Sequence, residues 1–132
     1  MVEIIWDAER SGTATAPSGA TARVGDESAF APDDLLAMSA GACLMRTFLA
    51  EAAREHLPVL SYASTAAVEP GPDGRATVAV RAYVMTGSAG HRQRLQDLFD
   101  EARRHSAICG LLGDQVTSVM DVKILPAPPP PG

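Results

Sequence analysis

The sequence has few aromatic residues, two cysteines and no excess of positive charge. Phe, Trp and Tyr make up 5% of the 132 residues, so we expect a core of small side chains that gains buried surface from a partner subunit. The formal net charge is −5. Because such a surface repels polyanions, nucleic acid is not an expected partner.

The chain also lacks a recognisable targeting or membrane segment. Met1–Glu3 is not a basic region followed by a long apolar run, so no signal peptide is evident. Charges interrupt the apolar stretches before the ~18 residues that a membrane-spanning helix needs, so no membrane partner is expected. The default expectation is a cytoplasmic, reducing location. Two cysteines there are more often reactive thiols or inert buried residues than a structural disulfide.

The pattern of apolar residues and turn signals predicts an α+β fold. Pro32 suits the first helical position. Asp33 and Asp34 then lie in the first turn, where negative side chains interact favourably with the positive end of the helix dipole. The predicted elements are strands within 1–30, a long helix from Pro32 towards His56, strands at 61–68 and 76–85, a helix at 91–105 and a strand at about 115–125. This order indicates helices packed on antiparallel sheet in a single domain over 1–125, followed by a disordered Pro-rich tail at 126–132.

The spacing of the cysteines does not by itself assign a function. Cys43 falls in the apolar stripe of the long helix and Cys109 follows the second helix, where a small buried hydrophobe is the usual interpretation. A disulfide needs Cα atoms within ~7 Å, a distance that one sequence cannot supply. His105 and the cysteines lack the four closely paired ligands of structural zinc, so neither a metal nor a cofactor is expected. Charge pattern places Glu51 and Arg54 on an exposed face.

A longer motif changes this interpretation. The stretch Ala31–Cys43, APDDLLAMSAGAC, contains a proline, acidic residues, a leucine pair, a run of small residues and then a cysteine. It resembles the signature of the OsmC/Ohr family, the osmotically inducible and organic hydroperoxide resistance proteins. Cys109 occupies the place of the second family cysteine, some sixty residues downstream. The resemblance covers about residues 3–125, and it implies an OsmC-like fold, with antiparallel sheets around two central helices, in an intertwined homodimer.

The resemblance also implies roles for individual residues. Cys43 matches the peroxidatic cysteine and Cys109 the resolving cysteine, which closes a Cys43–Cys109 disulfide after Cys43 has been oxidised by an alkyl or lipid hydroperoxide. An external dithiol, in the family sometimes a dihydrolipoyl group, then reduces the disulfide. An arginine in the N-terminal strands activates the thiol and is held by an acid ten positions before the cysteine. Asp33 matches the acid, and Arg10 matches the arginine, with Arg23 as the alternative.

Helix geometry restricts how these residues can meet. Ten residues of straight helix span ~15 Å, so Arg10 could hardly contact both Asp33 and Cys43 in one chain. Two solutions remain open. Either the helix breaks near Ser39–Gly41, or the arginine and acid beside a given Cys43 come from the other subunit.

A second class of function competes with the enzyme. Asp33 is one methylene shorter than the usual family glutamate, and Gly110 stands where the family usually has proline after the second cysteine. These departures are compatible with a non-enzymatic relative, either a dimer that binds small ligands or a thiol redox sensor. Hydroperoxide turnover that depends on Cys43 would separate the two classes.

Overall fold

A computed structural model of the protein describes residues 1–26 and 29–125, so the predicted tail at 126–132 lies outside the described residues. The chain divides into two compact units, residues 1–36 and the remainder from Ala37 onward. Each unit is described by itself, and the single domain expected over 1–125 stays a prediction.

The first unit contains a three-stranded antiparallel sheet in the order β1–β2–β3. Its strands are β1 (Glu3–Ala8), β2 (Ser11–Thr15) and β3 (Thr21–Gly25), as the turn signals predict. A Cβ at Gly12 would lie 2.5 Å from the carbonyl oxygen of Ile5, so only glycine fits at this close approach of β2 to β1. Several large apolar side chains of β1 stay exposed; Trp6 is 73% exposed.

The long helix α1 runs from Pro32 to Arg54 without interruption. The predicted start is confirmed, and Asp33 and Asp34 occupy the first turn. A break near Ser39–Gly41, one of the two solutions considered above, does not occur. Length and composition would allow α1 to cross a membrane, contrary to the expectation from its charges, but core helices pass the same test. Leu44 and Phe48 are fully buried in the core.

The second unit contains a mixed sheet in the order β4–β5–β6. β4 (Ser61–Pro70) and β5 (Ala76–Thr86) pair antiparallel, as expected for two strands joined by a short turn. β6 (Val116–Ile124) pairs parallel to β5, so the expectation of purely antiparallel sheets is wrong here. A parallel neighbour requires a crossover connection, and the helical segment between the strands supplies it.

This crossover consists of two helices, α2 (Arg92–His105) and α3 (Ala107–Leu112), flanked by 3₁₀ turns at Ala89–His91 and Gly113–Gln115. The helix predicted at 91–105 is confirmed, and its buried residues form an apolar stripe: Leu95, Leu98, Phe99 and Ala102. The rings of Phe99 and Phe48 meet edge to face, with centroids 5.7 Å apart. Such aromatic contacts fix α2 against α1, and the start of α3 thereby lies beside the middle of α1.

Candidate active site

Cys43 lies on α1 beside the N-terminus of α3. Its Sγ is 2.9 Å from Oγ of Ser106, whose hydroxyl donates a hydrogen bond to the sulfur. Ser106 is the N-cap of α3, so the backbone N–H groups of Ala107 and Ile108 belong to the first turn and have no partner within the helix. The half-buried sulfur thus accepts a hydrogen bond from Ser106 and lies beside the N-terminal end of α3.

These donors favour the thiolate of Cys43. Partial burial by itself would raise the pKa of the thiol, because a charge is less well solvated there. The Ser106 hydroxyl, the amides of Ile108 and Ala107 and the positive charge of Arg46 act in the opposite direction and outweigh burial. The pKa of Cys43 therefore lies below its ordinary value of 9.0. Because the thiolate is the nucleophile, a larger fraction of Cys43 is in the nucleophilic form near neutral pH than for an ordinary cysteine.

Cys109 lies in the first turn of α3 and contacts the same serine. Its backbone N–H is 3.5 Å from Oγ of Ser106, the contact expected of an N-cap side chain. Its side chain is buried, with the residue only 3% exposed, and both cysteines are free thiols. One hydroxyl therefore joins Cys43 to the helical turn that carries Cys109. The disulfide between them stays a prediction.

A cleft of about 860 Å³ opens beside Cys43. The residues that line it come from α1 and from the junction of α2 and α3: Cys43, Arg46, Thr47, Leu49, Ala50, Glu51, Arg54, His105 and Ala107. The wall combines apolar surface with two arginines and a histidine. The cleft can admit a small organic molecule to the sulfur.

The prediction that Glu51 lies on an exposed face of α1 is wrong, because the residue is only 8% exposed. Its Oε1 lies 2.8 Å from Nδ1 of His105, the residue that precedes Ser106. The charge pattern could not reveal this, because the histidine that covers Glu51 comes from another helix.

Arg10 and Asp33, the predicted activating pair, are both in the first unit. Arg10 is solvent-exposed, and its Nε lies 2.7 Å from Oδ2 of Asp26. Within residues 1–26 and 29–125, no ion pair joins Arg10 to Asp33, which is exposed on the first turn of α1. The contact inferred from the resemblance is therefore not formed in this chain, where Asp26 is the nearer carboxylate.

Arg23, the alternative to Arg10, also has a carboxylate partner. Its guanidinium contacts both carboxylate oxygens of Asp7, at 2.7 Å and 3.0 Å. This hydrogen bonding lowers the pKa of Asp7 and raises that of Arg23. The cation that acts on Cys43 within the second unit is instead Arg46, one turn further along α1.

Sequence reasoning did not identify Ser106 and Arg46. The sequence does contain an indication for Ser106, because a serine immediately before a helical segment is typical of an N-cap. Arg46 follows Cys43 by three residues, which places the two on neighbouring turns of one helix face. As for metals, the described part of the chain holds no group of three His, Cys, Asp or Glu side chains able to bind one.

Comparison with known proteins identifies the family. The family model described as OsmC-like protein matches residues 25–120, most of the chain, and the chain therefore belongs to the OsmC-like family. The resemblance inferred from the Ala31–Cys43 motif and from Cys109 is confirmed at this level. A search of curated proteins found no match.

Solved structures show the same fold at low sequence identity. An OsmC-like protein of unknown function from Vibrio cholerae is 16% identical, with a TM-score of 0.75, over 93% of this chain and 97% of the other. An OsmC-like protein from Mycoplasma pneumoniae is 12% identical, with a TM-score of 0.77, over 95% and 96%. The organic hydroperoxide resistance protein OhrB of Bacillus subtilis is 16% identical, with a TM-score of 0.65, over 93% and 98%. The α+β, OsmC-like fold is thus confirmed.

Proposed function

We propose that the protein is a thiol-dependent peroxidase that reduces organic hydroperoxides with Cys43. The observation that carries this proposal is the sulfur of Cys43, which accepts a hydrogen bond from the Ser106 hydroxyl at the edge of a cleft and whose pKa is lowered. A lowered pKa and an opening beside the sulfur are the two properties that a peroxidatic thiol needs. Names of structural neighbours such as OhrB agree with this activity.

In the proposed reaction, the Cys43 thiolate attacks the terminal oxygen of the hydroperoxide. The S–O bond forms and the O–O bond breaks, leaving a sulfenic acid on Cys43 and releasing the alcohol once a proton reaches the departing oxygen. The apolar part of the wall, from Leu49, Ala50 and Ala107, favours alkyl or lipid hydroperoxides over hydrogen peroxide.

Cys109 is proposed to resolve the sulfenic acid. Its thiol condenses with the oxidised Cys43, which releases water and forms the Cys43–Cys109 disulfide. The shared contact of both residues with Ser106 supports this pairing. A dithiol such as a dihydrolipoyl group then reduces the disulfide and restores both thiols.

We further propose a cytoplasmic homodimer in which Arg10 and Asp33 act from the partner subunit. Two observations support the dimer: the unbroken α1 leaves a rise of ~15 Å between residues 33 and 43, and β1 exposes Ile4, Ile5 and Trp6. Exposed apolar clusters of this kind are typical of interfaces. Light scattering should give twice the chain mass of 13.8 kDa, and a stable monomer would contradict the proposal.

The test of the activity is the consumption of cumene hydroperoxide in the presence of a dithiol. We expect turnover by the wild type and none by Cys43→Ser, which keeps the size of the side chain and removes the nucleophile. Mass spectrometry after one equivalent of hydroperoxide should show the loss of two hydrogens and a peptide that links Cys43 to Cys109. A Cys43 that is oxidised once without turnover would favour the redox-sensing alternative, and equal turnover in both proteins would exclude the enzyme.

A further inference from the structure

The cleft beside Cys43 also contains a pair of side chains, Glu51 and His105, that the thiol chemistry described so far does not use. Glu51 is 8% exposed, and its Oε2 is buried with no hydrogen-bond partner among the described residues. Its Oε1 meets Nδ1 of His105 at 2.8 Å. A buried carboxylate is costly unless it is paired, and His105 is the partner that the structure gives it.

This contact fixes the orientation of the imidazole. A carboxylate can only accept, so Nδ1 of His105 donates to Glu51 and Nε2 is left for another partner. The His105 side chain is 62% exposed and lines the same cleft as Cys43. Its chain neighbour Ser106 hydrogen-bonds to the sulfur of Cys43. The free ring nitrogen is therefore available to a molecule that enters the cleft.

The proposed peroxidase reaction also needs a proton donor for the leaving oxygen. When the O–O bond breaks, the departing oxygen is an alkoxide, a poor leaving group unless it is protonated as it departs. The Ser106 hydroxyl already donates to the attacking sulfur. Arginine holds its protons too tightly to release one, so Arg46 and Arg54 can stabilise charge but cannot act as acids. Among the side chains of this cleft, His105 is the group suited to proton transfer.

We propose that His105, oriented by the buried carboxylate of Glu51, donates a proton from Nε2 to the oxygen that leaves when Cys43 attacks a hydroperoxide. The inference rests on the proposed peroxidase function. The sulfur–oxygen bond forms as the oxygen–oxygen bond breaks, and the alkoxide takes the Nε2 proton. The products are an alcohol, the Cys43 sulfenic acid and a neutral imidazole, which regains its proton from water. His105 is a catalytic residue in this scheme and Glu51 a positioning residue.

The experiment compares electrophiles chosen because some leaving groups need a proton and others do not. Iodoacetamide releases iodide, and a peroxy acid releases a carboxylate; neither needs an acid. Cumene hydroperoxide releases an alkoxide and does. Single-turnover oxidation of Cys43 is measured in wild type, His105→Gln and Glu51→Gln, with His91→Gln at the other end of α2 as the matched control outside the cleft.

We expect His105→Gln to slow the reaction with cumene hydroperoxide by roughly 100-fold, the lower end of a general acid's contribution. Reactions with iodoacetamide and the peroxy acid should stay within about twofold of wild type, which shows that the thiolate and the fold are intact. Glu51→Gln should give an intermediate loss with cumene hydroperoxide alone, and His91→Gln should change nothing.

An equal loss with all three electrophiles would overturn the proposal, because His105 would then act on the thiol or on the fold. So would an unchanged rate with cumene hydroperoxide. If instead the wild type reacts with iodoacetamide but not with any hydroperoxide, the peroxidase function itself fails, and the role of His105 fails with it.

Discussion

Cys43 and Cys109 both contact one serine, yet their surroundings differ. Cys43 is half-buried at a cleft, and its sulfur accepts a hydrogen bond from the Ser106 hydroxyl. Cys109 is 3% exposed, and its contact with Ser106 is made by its backbone. Spacing alone does not distinguish the two cysteines, whereas the fold lowers the pKa of one and buries the other. Ser106 separates the two environments.

The largest expected effect comes from removing the enclosed thiol. Cys109→Ser should keep the first reduction of cumene hydroperoxide close to the wild-type rate, because the surroundings of the Cys43 sulfur are unchanged. Steady-state turnover should be lost, since the sulfenic acid has no partner and is oxidised further. Mass spectrometry should find two added oxygen atoms on Cys43. Sustained turnover by this variant with a dithiol would mean that Cys109 is not the resolving residue.

The difference in accessibility should be measurable directly. In native protein, we expect iodoacetamide to modify Cys43 in the Cys109→Ser variant about 100-fold faster than Cys109 in the Cys43→Ser variant, because a buried group reacts only through local opening. The same reaction in denaturant is the control, where both cysteines should react alike. Comparable rates in native protein would contradict the burial of Cys109.

Ser106→Ala tests the residue that separates the two environments. A hydrogen bond to a charged group contributes about 1.5–3 kcal/mol, so alkylation of Cys43 at pH 7 should slow by as much as about tenfold. The pKa of Cys43 should rise, and the half-maximal rate should move to higher pH, because the thiolate loses a donor. Loss of the N-cap should also lower the free energy of unfolding by ~1 kcal/mol. Ser61→Ala, on an exposed strand position, is the matched control.

The smallest effect is expected from the nearby cation. Arg46 acts on the Cys43 sulfur through charge alone, without a hydrogen bond. Arg46→Ala should therefore slow alkylation at pH 7 by only about two- to threefold, and added salt should reduce the difference because it screens charges at a cleft surface. Arg54→Ala, also in the cleft, is the control for general loss of positive charge. A loss as large as that of Ser106→Ala would assign the main role to the arginine.

The sequence predicted those features that depend on local pattern. The start of α1 at Pro32 follows from capping preferences, and the buried stripe of α2 follows from its periodicity. The long helix was predicted to carry Cys43, and Cys109 was predicted to follow the second helix, where the structure has the short helix α3. Each of these signals lies within a short stretch of the chain, and so one sequence is enough to read it.

Features that depend on contacts between distant elements were not predictable in this way. The parallel pairing of β6 with β5 depends on the crossover between them, and the burial of Glu51 depends on His105 from α2. Arg10 was matched by position to Asp33, whereas in the folded first unit it pairs with Asp26. Propensity and spacing describe a residue's own element, and they carry no information about which other element faces it.

The bond between Ser106 and Cys43 spans 63 positions of the chain. During synthesis, the ribosome therefore releases Cys43 well before the serine and the amides that acidify it exist. A nascent chain carries an ordinary thiol, mostly protonated and slow towards peroxides. The surroundings that lower the pKa of Cys43 form only when the crossover has docked, which is also when Cys109 takes its place in α3.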